Sequence, residues 1–185
     1  ISEILAAPPT GAAVTAGVVL ALVGAVSKSA LIPFHFWLPG AMVAPTPVSA
    51  YLYAAAMVKA GVYLVALLAP AFADVGPGRP MVLGLGAATM ALGGWHALRQ
   101  TDLKLLLAHG TVSQLGFLVA IVGLGTRSAA LAGVAMVVAH ALFKASLFLV
   151  VGIIDRAAGT RDLRELSGLA RSMPVVTATG LAAAA

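Results

Sequence analysis

The chain has 185 residues, of which 61% are hydrophobic and only 9% are charged, and its formal net charge is +5. Soluble domains carry about 25% charged residues, so this composition excludes an ordinary soluble domain and predicts a polytopic membrane protein. The basic residues are scattered between apolar runs, which argues against nucleic acid as a partner. The lack of cysteine excludes disulfides, thiolate metal sites and cysteine nucleophiles.

Apolar stretches of about 20 residues, each long enough to cross a bilayer as a helix, follow one another along the chain. They cover residues 11–36, 48–69, 81–98, 103–124 and 129–154. A charged loop over residues 155–171 follows, and Pro174 begins a sixth apolar run. This pattern predicts an all-α, polytopic transmembrane helix bundle that forms a single transmembrane domain over residues 1–185. Because the chain begins with Ile1 and stops inside an apolar run, we expect it to be a fragment.

The first stretch contains a proline, and we expect a broken helix there. Pro33 lacks a backbone donor and clashes with the preceding turn, so the helix should be interrupted at this residue. In lipid, freed backbone groups are tolerated only where they are buried in protein or line a cavity. Lys28 lies within two turns of the break, and an ionisable group beside a helix discontinuity is a recurring way to build an ion site.

Lysines occur inside three of the apolar stretches, at Lys28, Lys59 and Lys144. A charge near the membrane midplane costs at least about 2.5–3.5 kcal/mol, which makes an ion or proton pathway the default interpretation. His140 precedes Lys144 by four residues, so both lie on one helix face and can exchange a proton. We therefore predict a proton relay that includes Lys28, Lys59, His140 and Lys144.

The fourth stretch carries several polar side chains that can hold a file of water, namely His109, Thr111, Ser113 and Gln114. We expect His109 to contribute to the relay. Acidic residues lie only at the chain end or in predicted loops, at Glu3, Asp74, Asp102, Asp155, Asp162 and Glu165. Because burial disfavours the charged form of a lysine, the buried lysines are either partly deprotonated or paired with acids outside this chain. Both states suit a relay.

Structural alternatives stay open for these side chains. A lysine can extend its ammonium group to the membrane interface. His35 and His96 lie near the ends of their stretches and suit an interfacial position. The polar residues of the fourth stretch can hydrogen-bond a neighbouring helix. A zinc site is not expected, because no carboxylate or second nearby histidine accompanies His140.

Arginines are distributed unevenly between the predicted connections. The connections on one side of the membrane hold Arg99, Arg156, Arg161, Arg164 and Arg171, whereas the connections on the other side hold Arg79 and Arg127. Positively charged loops face the cytoplasm, so we expect the connection over residues 36–45 and the loop over residues 155–171 to be cytoplasmic.

Four motifs of this chain resemble one membrane-protein family. They are residues 28–51 (KSALIPFHFWLPGAMVAPTPVSAY), 101–104 (TDLK), 113–116 (SQLG) and 140–148 (HALFKASLF). Together they are similar to the antiporter-like subunits shared by respiratory complex I and Mrp-type Na⁺/H⁺ antiporters. Residues 34–42, 57–61, 151–155 and 159–164 resemble the large A-type subunit of the Mrp antiporter more than the complex I version.

The resemblance carries several expectations. It implies helices seven to eleven and the start of the twelfth, with Lys28 as the central lysine of the broken seventh helix and His140 and Lys144 as the relay pair of the eleventh. It implies the proton-translocating core of a multisubunit Na⁺/H⁺ antiporter in the inner (plasma) membrane. Such a protein is a secondary transporter rather than an enzyme, has no cofactor, and works with other membrane subunits, protons and a monovalent cation.

Two residues depart from the family pattern. Tyr53 and Met136 stand where family members usually have histidine, so the proton path is expected to be rewired through Lys59 or His109. Two other functions stay open. One is a proton-pumping subunit of NADH:quinone oxidoreductase or a related membrane-bound hydrogenase, and the other is a purely structural membrane protein.

Overall fold

A computed structural model describes residues 11–72 and 78–185, so Glu3 and Asp74 lie outside the described residues. The described chain is helical, and its only bridge between extended segments pairs Asp102 with Asp162. The helices are α1 Ala12–Lys28, α2 Trp37–Gly40, α3 Thr46–Val48, α4 Lys59–Phe72, α5 Gly78–Ala97, α6 Leu103–Val122, α7 Arg127–Ala158, α8 Leu169–Ser172 and α9 Pro174–Ala184. The predicted all-α bundle is therefore confirmed.

Helices occupy every predicted apolar stretch, but their lengths differ. By length and composition, three helices of the described chain can cross a membrane: Thr46–Pro70, Leu103–Val122 and Arg127–Ala158. The apolar helices α1 and α9 are shorter. α7 continues past Ile154 to Ala158, where Gly159 ends it with a φ of 71°. Asp155, which we expected in a loop, thus belongs to the last turn of α7.

The interruption predicted at Pro33 is present, but it begins earlier, because α1 already ends at Lys28. Two short 3₁₀ segments, Phe34–Phe36 and Ala41–Val43, flank α2 after the break. Neighbouring side chains pair with backbone groups on both sides of the break. The Trp37 indole N–H donates to the carbonyl of Ser27 at 3.0 Å, and the amide of Ile32 donates to Thr89 Oγ1 at 3.1 Å. These contacts let the backbone leave the helix inside the bundle.

A π-helical segment, Ser49–Ala56, lies between α3 and α4. In a π-helix each amide donates to the carbonyl five residues earlier, and the amide of Met57 donates in this way to the carbonyl of Leu52 at 2.8 Å. The segment packs against α7. π-Helical turns within longer helices are rare and frequently occur at functional sites.

Small residues bring α5 and α6 into close contact. A side chain at Gly93 would place its Cβ 2.6 Å from the amide nitrogen of Ser113, and one at Gly86 would place it 2.8 Å from the carbonyl oxygen of Gly116. The Ser113 hydroxyl donates across this interface to the carbonyl of Met90 at 2.8 Å. Ser113 thus fits the interhelical alternative, in which small and hydroxyl residues hold membrane helices together.

The start of α6 is fixed to the loop after α7. Asp102 caps α6 by accepting from the amides of Lys104 and Leu105, at 2.7 and 3.0 Å. Its other oxygen lies 3.2 Å from Arg161 Nε. Within the same loop, hydrogen bonds from the Arg164 side chain and amide lower the pKa of Asp162 to about 2. Asp162 is therefore ionised at neutral pH, and its pairing with Arg164 is lost only as the pH falls through this value.

Candidate functional site

Lys59, His140 and Lys144 form one cluster where the π segment and the start of α4 meet α7. All three are buried, with exposed fractions of 7%, 0% and 6%. Lys59 lies near His140 and Lys144, although it is far from them in sequence, because the π segment and α4 pack against α7. Among the described residues, no carboxylate forms an ion pair with either lysine. The cluster therefore combines two ammonium groups and one imidazole without an internal counter-charge.

Lys59 is held by the π segment. Its ammonium nitrogen Nζ donates to the carbonyl of Ala54, five residues earlier, at the point where the π segment gives way to α4. Such a transition frees backbone carbonyls from the regular helical pattern, and in an apolar surrounding each freed carbonyl needs a partner. The same geometry that widens the helix thus keeps the ammonium group inside the bundle and close to α7.

His140 is the most enclosed member of the cluster. Its ring meets the Phe143 ring edge-on, with the centroids 5.3 Å apart. Both ring nitrogens are buried, and neither has a hydrogen-bond partner among the described residues. A buried polar atom without a partner costs about 1–3 kcal/mol, so a histidine here is costly for packing alone. This cost favours a functional reason for the imidazole.

Lys144 lies one helical turn after His140 and extends toward α6. Its Nζ would be 3.0 Å from a Cβ at position 110, where the chain has Gly110. The glycine leaves room for the ammonium group between α6 and α7. The four-residue spacing that predicted a shared face for His140 and Lys144 is thus realised on α7, and both side chains face the bundle.

Lys28 lies apart from this cluster. It is the last residue of α1, its side chain is exposed in the described structure, and it lines an open pocket of about 350 Å³. Trp37 and Met57 also line this pocket, and Met57 stands two residues before Lys59. The pocket therefore extends from the broken helix toward the chain segment that carries Lys59.

His109 also lies apart from the cluster and belongs to a different group of side chains. Its ring centroid is 5.5 Å from that of His96, and the His96 centroid is 6.3 Å from that of His35. An interfacial position was one of the open alternatives for His35 and His96, and their spacing in sequence did not predict a contact between them. In the structure both are partly buried and lie in one row with His109.

Lys104 is a further buried lysine, which the sequence indicated only as part of the TDLK motif. It is 2% exposed, and its Nζ donates to the carbonyl of Ala44 in the connection between the 3₁₀ segment Ala41–Val43 and α3. The N-capping Asp102 two residues earlier was the available signal, because it fixes Lys104 in the first turn of α6. No group of three or more histidine or acidic side chains in the described residues is arranged to hold a metal ion.

The sequence matches, over residues 1–184, the family described as NADH:quinone oxidoreductase/Mrp antiporter, TM. This chain belongs to that family. Two curated relatives are antiporter proteins: the probable K⁺/H⁺ antiporter A/B subunit of Rhizobium meliloti, 50% identical over 167 residues, and the Na⁺/H⁺ antiporter A-type subunit of Alkalihalophilus pseudofirmus, 48% identical over 184 residues. Each alignment covers 90% of this chain but only 17% and 23% of those proteins.

Two solved structures show the same fold as this chain. The Mrp complex of a Dietzia species superimposes with a TM-score of 0.88 at 48% identity, covering 96% of this chain and 20% of that one. An archaeal respiratory complex, the membrane-bound sulfane sulfur reductase, superimposes with a TM-score of 0.85 at 27% identity, covering 92% and 36%. The chain therefore spans between a sixth and about a third of the proteins it matches.

Proposed function

We propose that this chain is a single transmembrane domain within the large A-type subunit of a multisubunit monovalent cation/H⁺ antiporter, and that it carries part of the proton path. The observation that carries the proposal is the fully buried His140, unpaired at both ring nitrogens and close to two buried lysines. The antiporter relatives at 48–50% identity support the exchange function over the respiratory complex at 27% identity.

In this proposal, protons move through Lys59, His140 and Lys144 by acid–base exchange. Two ammonium groups and an imidazolium in one buried cluster repel each other, and burial adds a desolvation cost to every charge. A proton that arrives on one member therefore favours the departure of a proton from another. The histidine suits the middle step, since imidazole accepts a proton at one nitrogen and donates from the other. Such a cluster can hold a proton and pass it on within one cycle.

Lys28 has a separate role in the same path. We assign it as the carrier that exchanges protons at the broken helix, where Pro33 and the other residues of the break permit a local rearrangement. The pocket that it shares with Met57 supports a link toward Lys59. Because lysines repel a metal cation, the proposal places the Na⁺ or K⁺ site in another part of the same protein or in another membrane protein of the complex.

A Lys144→Met variant tests this function in everted membrane vesicles that carry the full-length complex. Adding Na⁺ or K⁺ to wild-type vesicles should dissipate an imposed proton gradient. Methionine keeps the unbranched stem without a titratable group, so we expect the variant to lose roughly 10²-fold or more of this exchange. The matched control is Leu142→Ala, which alters an exposed side chain of the same helix.

Two results would oppose the proposal. Unimpaired exchange in an assembled Lys144→Met complex would make Lys144 structural. A wild-type complex that ignores both cations but acidifies the vesicle lumen when NADH is supplied would instead be a redox-driven pump, the second function that the sequence left open.

A further inference from the structure

Three histidines far apart in sequence form one row, which crosses from the broken helix to α6. His35 lies in the 3₁₀ segment Phe34–Phe36, His96 in the last turn of α5, and His109 in the second turn of α6. The His35 and His96 rings are stacked, and the His109 ring meets His96 edge-on. In each ring Nδ1 is buried without a hydrogen-bond partner among the described residues. His96 is thus the middle member.

The row follows from the antiparallel register of α5 and α6. Gly86 lies against Ala120 and Gly93 lies against Ser113, so the contacts on α6 move toward its start as α5 proceeds. Continuing this register by one turn brings His96 to His109. Gln100, just beyond α5, donates to the backbone carbonyl of His96 at 3.2 Å and not to the buried Nδ1 of its ring.

The two sides of the row have different surroundings. At the His35 side, the 3₁₀ segment Phe34–Phe36 follows the helix break, and the neighbouring Phe36 is exposed. On the other side, His109 directly precedes Gly110, the residue against which the Lys144 ammonium group packs. The titratable side chain that the His109 ring meets is His96, which in turn meets His35. No carboxylate in the described residues forms an ion pair with the row.

We propose that His35, His96 and His109 form a second proton-transfer row that joins the 3₁₀ segment after the broken helix to the Lys59–His140–Lys144 cluster. The inference rests on the proposed function, because it needs a proton path to feed. Each imidazole accepts a proton at one ring nitrogen and releases the proton of the other, and ring rotation then restores the starting state. The spacing of the rings suits transfer between nitrogens directly or through one water.

Two observations on the described residues argue against a simple packing contact and against a metal site. Aromatic packing needs no nitrogen, yet three buried Nδ1 atoms are kept without partners among the described residues, which costs stability. The described residues also offer no set of three ligands arranged for a metal ion. Each of the three imidazoles has one ring nitrogen that can accept a proton and one that can donate it, and proton transfer requires this property.

A His96→Phe variant breaks the row in its middle while it keeps an aromatic ring in place. We expect a several-fold loss of cation-driven proton exchange in everted vesicles with the full-length complex, and a changed pH profile across the range in which histidine titrates. His109→Phe should have the same effect. The double variant should be no slower than either single one, because the groups act in series. Trp95→Phe, a conservative change at the exposed neighbour, is the matched control.

Wild-type rate and pH profile in an assembled His96→Phe complex would overturn this inference. If His96→Phe does not assemble, His96→Gln keeps a polar side chain without a titratable group and is expected to show the same loss. The Lys144→Met variant separates the two proposals. Loss of exchange in Lys144→Met beside normal exchange in the histidine variants rejects the row alone, whereas normal exchange in Lys144→Met rejects the proposed function itself.

Discussion

The lysines of this chain have different surroundings in the structure, although their neighbours in sequence are similarly apolar. Lys59 and Lys144 are buried beside His140, whereas Lys28 reaches an open pocket at the end of α1. Lys104 is as deeply buried as the cluster, but it binds the carbonyl of Ala44 and so fixes one connection. A hydropathy profile describes only the apolar neighbours of a lysine in sequence, so it does not separate these four residues. What distinguishes these four is the backbone carbonyl or cavity that each ammonium group meets.

The structural role of Lys104 predicts a loss of stability on substitution. Lys104→Met would leave the partly buried carbonyl of Ala44 without this donor, and a buried group without a partner costs about 1–3 kcal/mol. We expect a lower apparent Tm for the detergent-solubilised full-length complex. Arg127→Met removes an exposed basic residue at the start of α7 and serves as control. Equal apparent Tm values for the two variants would contradict the structural role of Lys104.

At the scale of helices, much of the architecture could be predicted from the sequence. Apolar stretches indicated the positions of the membrane helices, and Pro33 indicated the break. The π segment was not predicted, because its residues have the same apolar composition as an α-helix and differ only in hydrogen bonding. The early end of α1 was also missed. It depends on Thr89 and Trp37, which lie elsewhere in the chain and pair with backbone groups around the break.

The close contact of α5 with α6 gives a prediction at this scale. Gly93→Ala would place a methyl group 2.6 Å from the amide nitrogen of Ser113, which is backbone and cannot move aside. Such overpacking typically costs about 1–3 kcal/mol. The control is Gly84→Ala on the same helix, where a Cβ meets nothing within 4 Å. We expect a lower apparent Tm for the Gly93 variant only, and the packing account fails if the two variants unfold alike.

At the scale of the whole molecule, the titratable side chains form three separate groups. These are the buried Lys59–His140–Lys144 cluster, Lys28 in its open pocket, and the row of His35, His96 and His109. Sequence spacing placed His140 and Lys144 together because both are on one helix. It could not place Lys59 beside them, or His35 beside His96 and His109, because those contacts depend on how different helices pack. Tyr53 and Met136, at positions where family members usually carry histidine, are partly buried against the core. The proposed proton path therefore runs through Lys59, and the histidine row is a separate proposal that adds to it.

The most direct test of this account is cation-driven proton movement in a His140→Phe complex. Phenylalanine keeps a ring against Phe143 but removes both nitrogens, so proton transfer within the cluster is lost while packing is preserved. We predict that Na⁺ or K⁺ no longer dissipates the proton gradient in everted vesicles, although the complex assembles in normal amounts and Leu142→Ala exchanges normally. Wild-type exchange in the assembled His140→Phe complex would contradict the account.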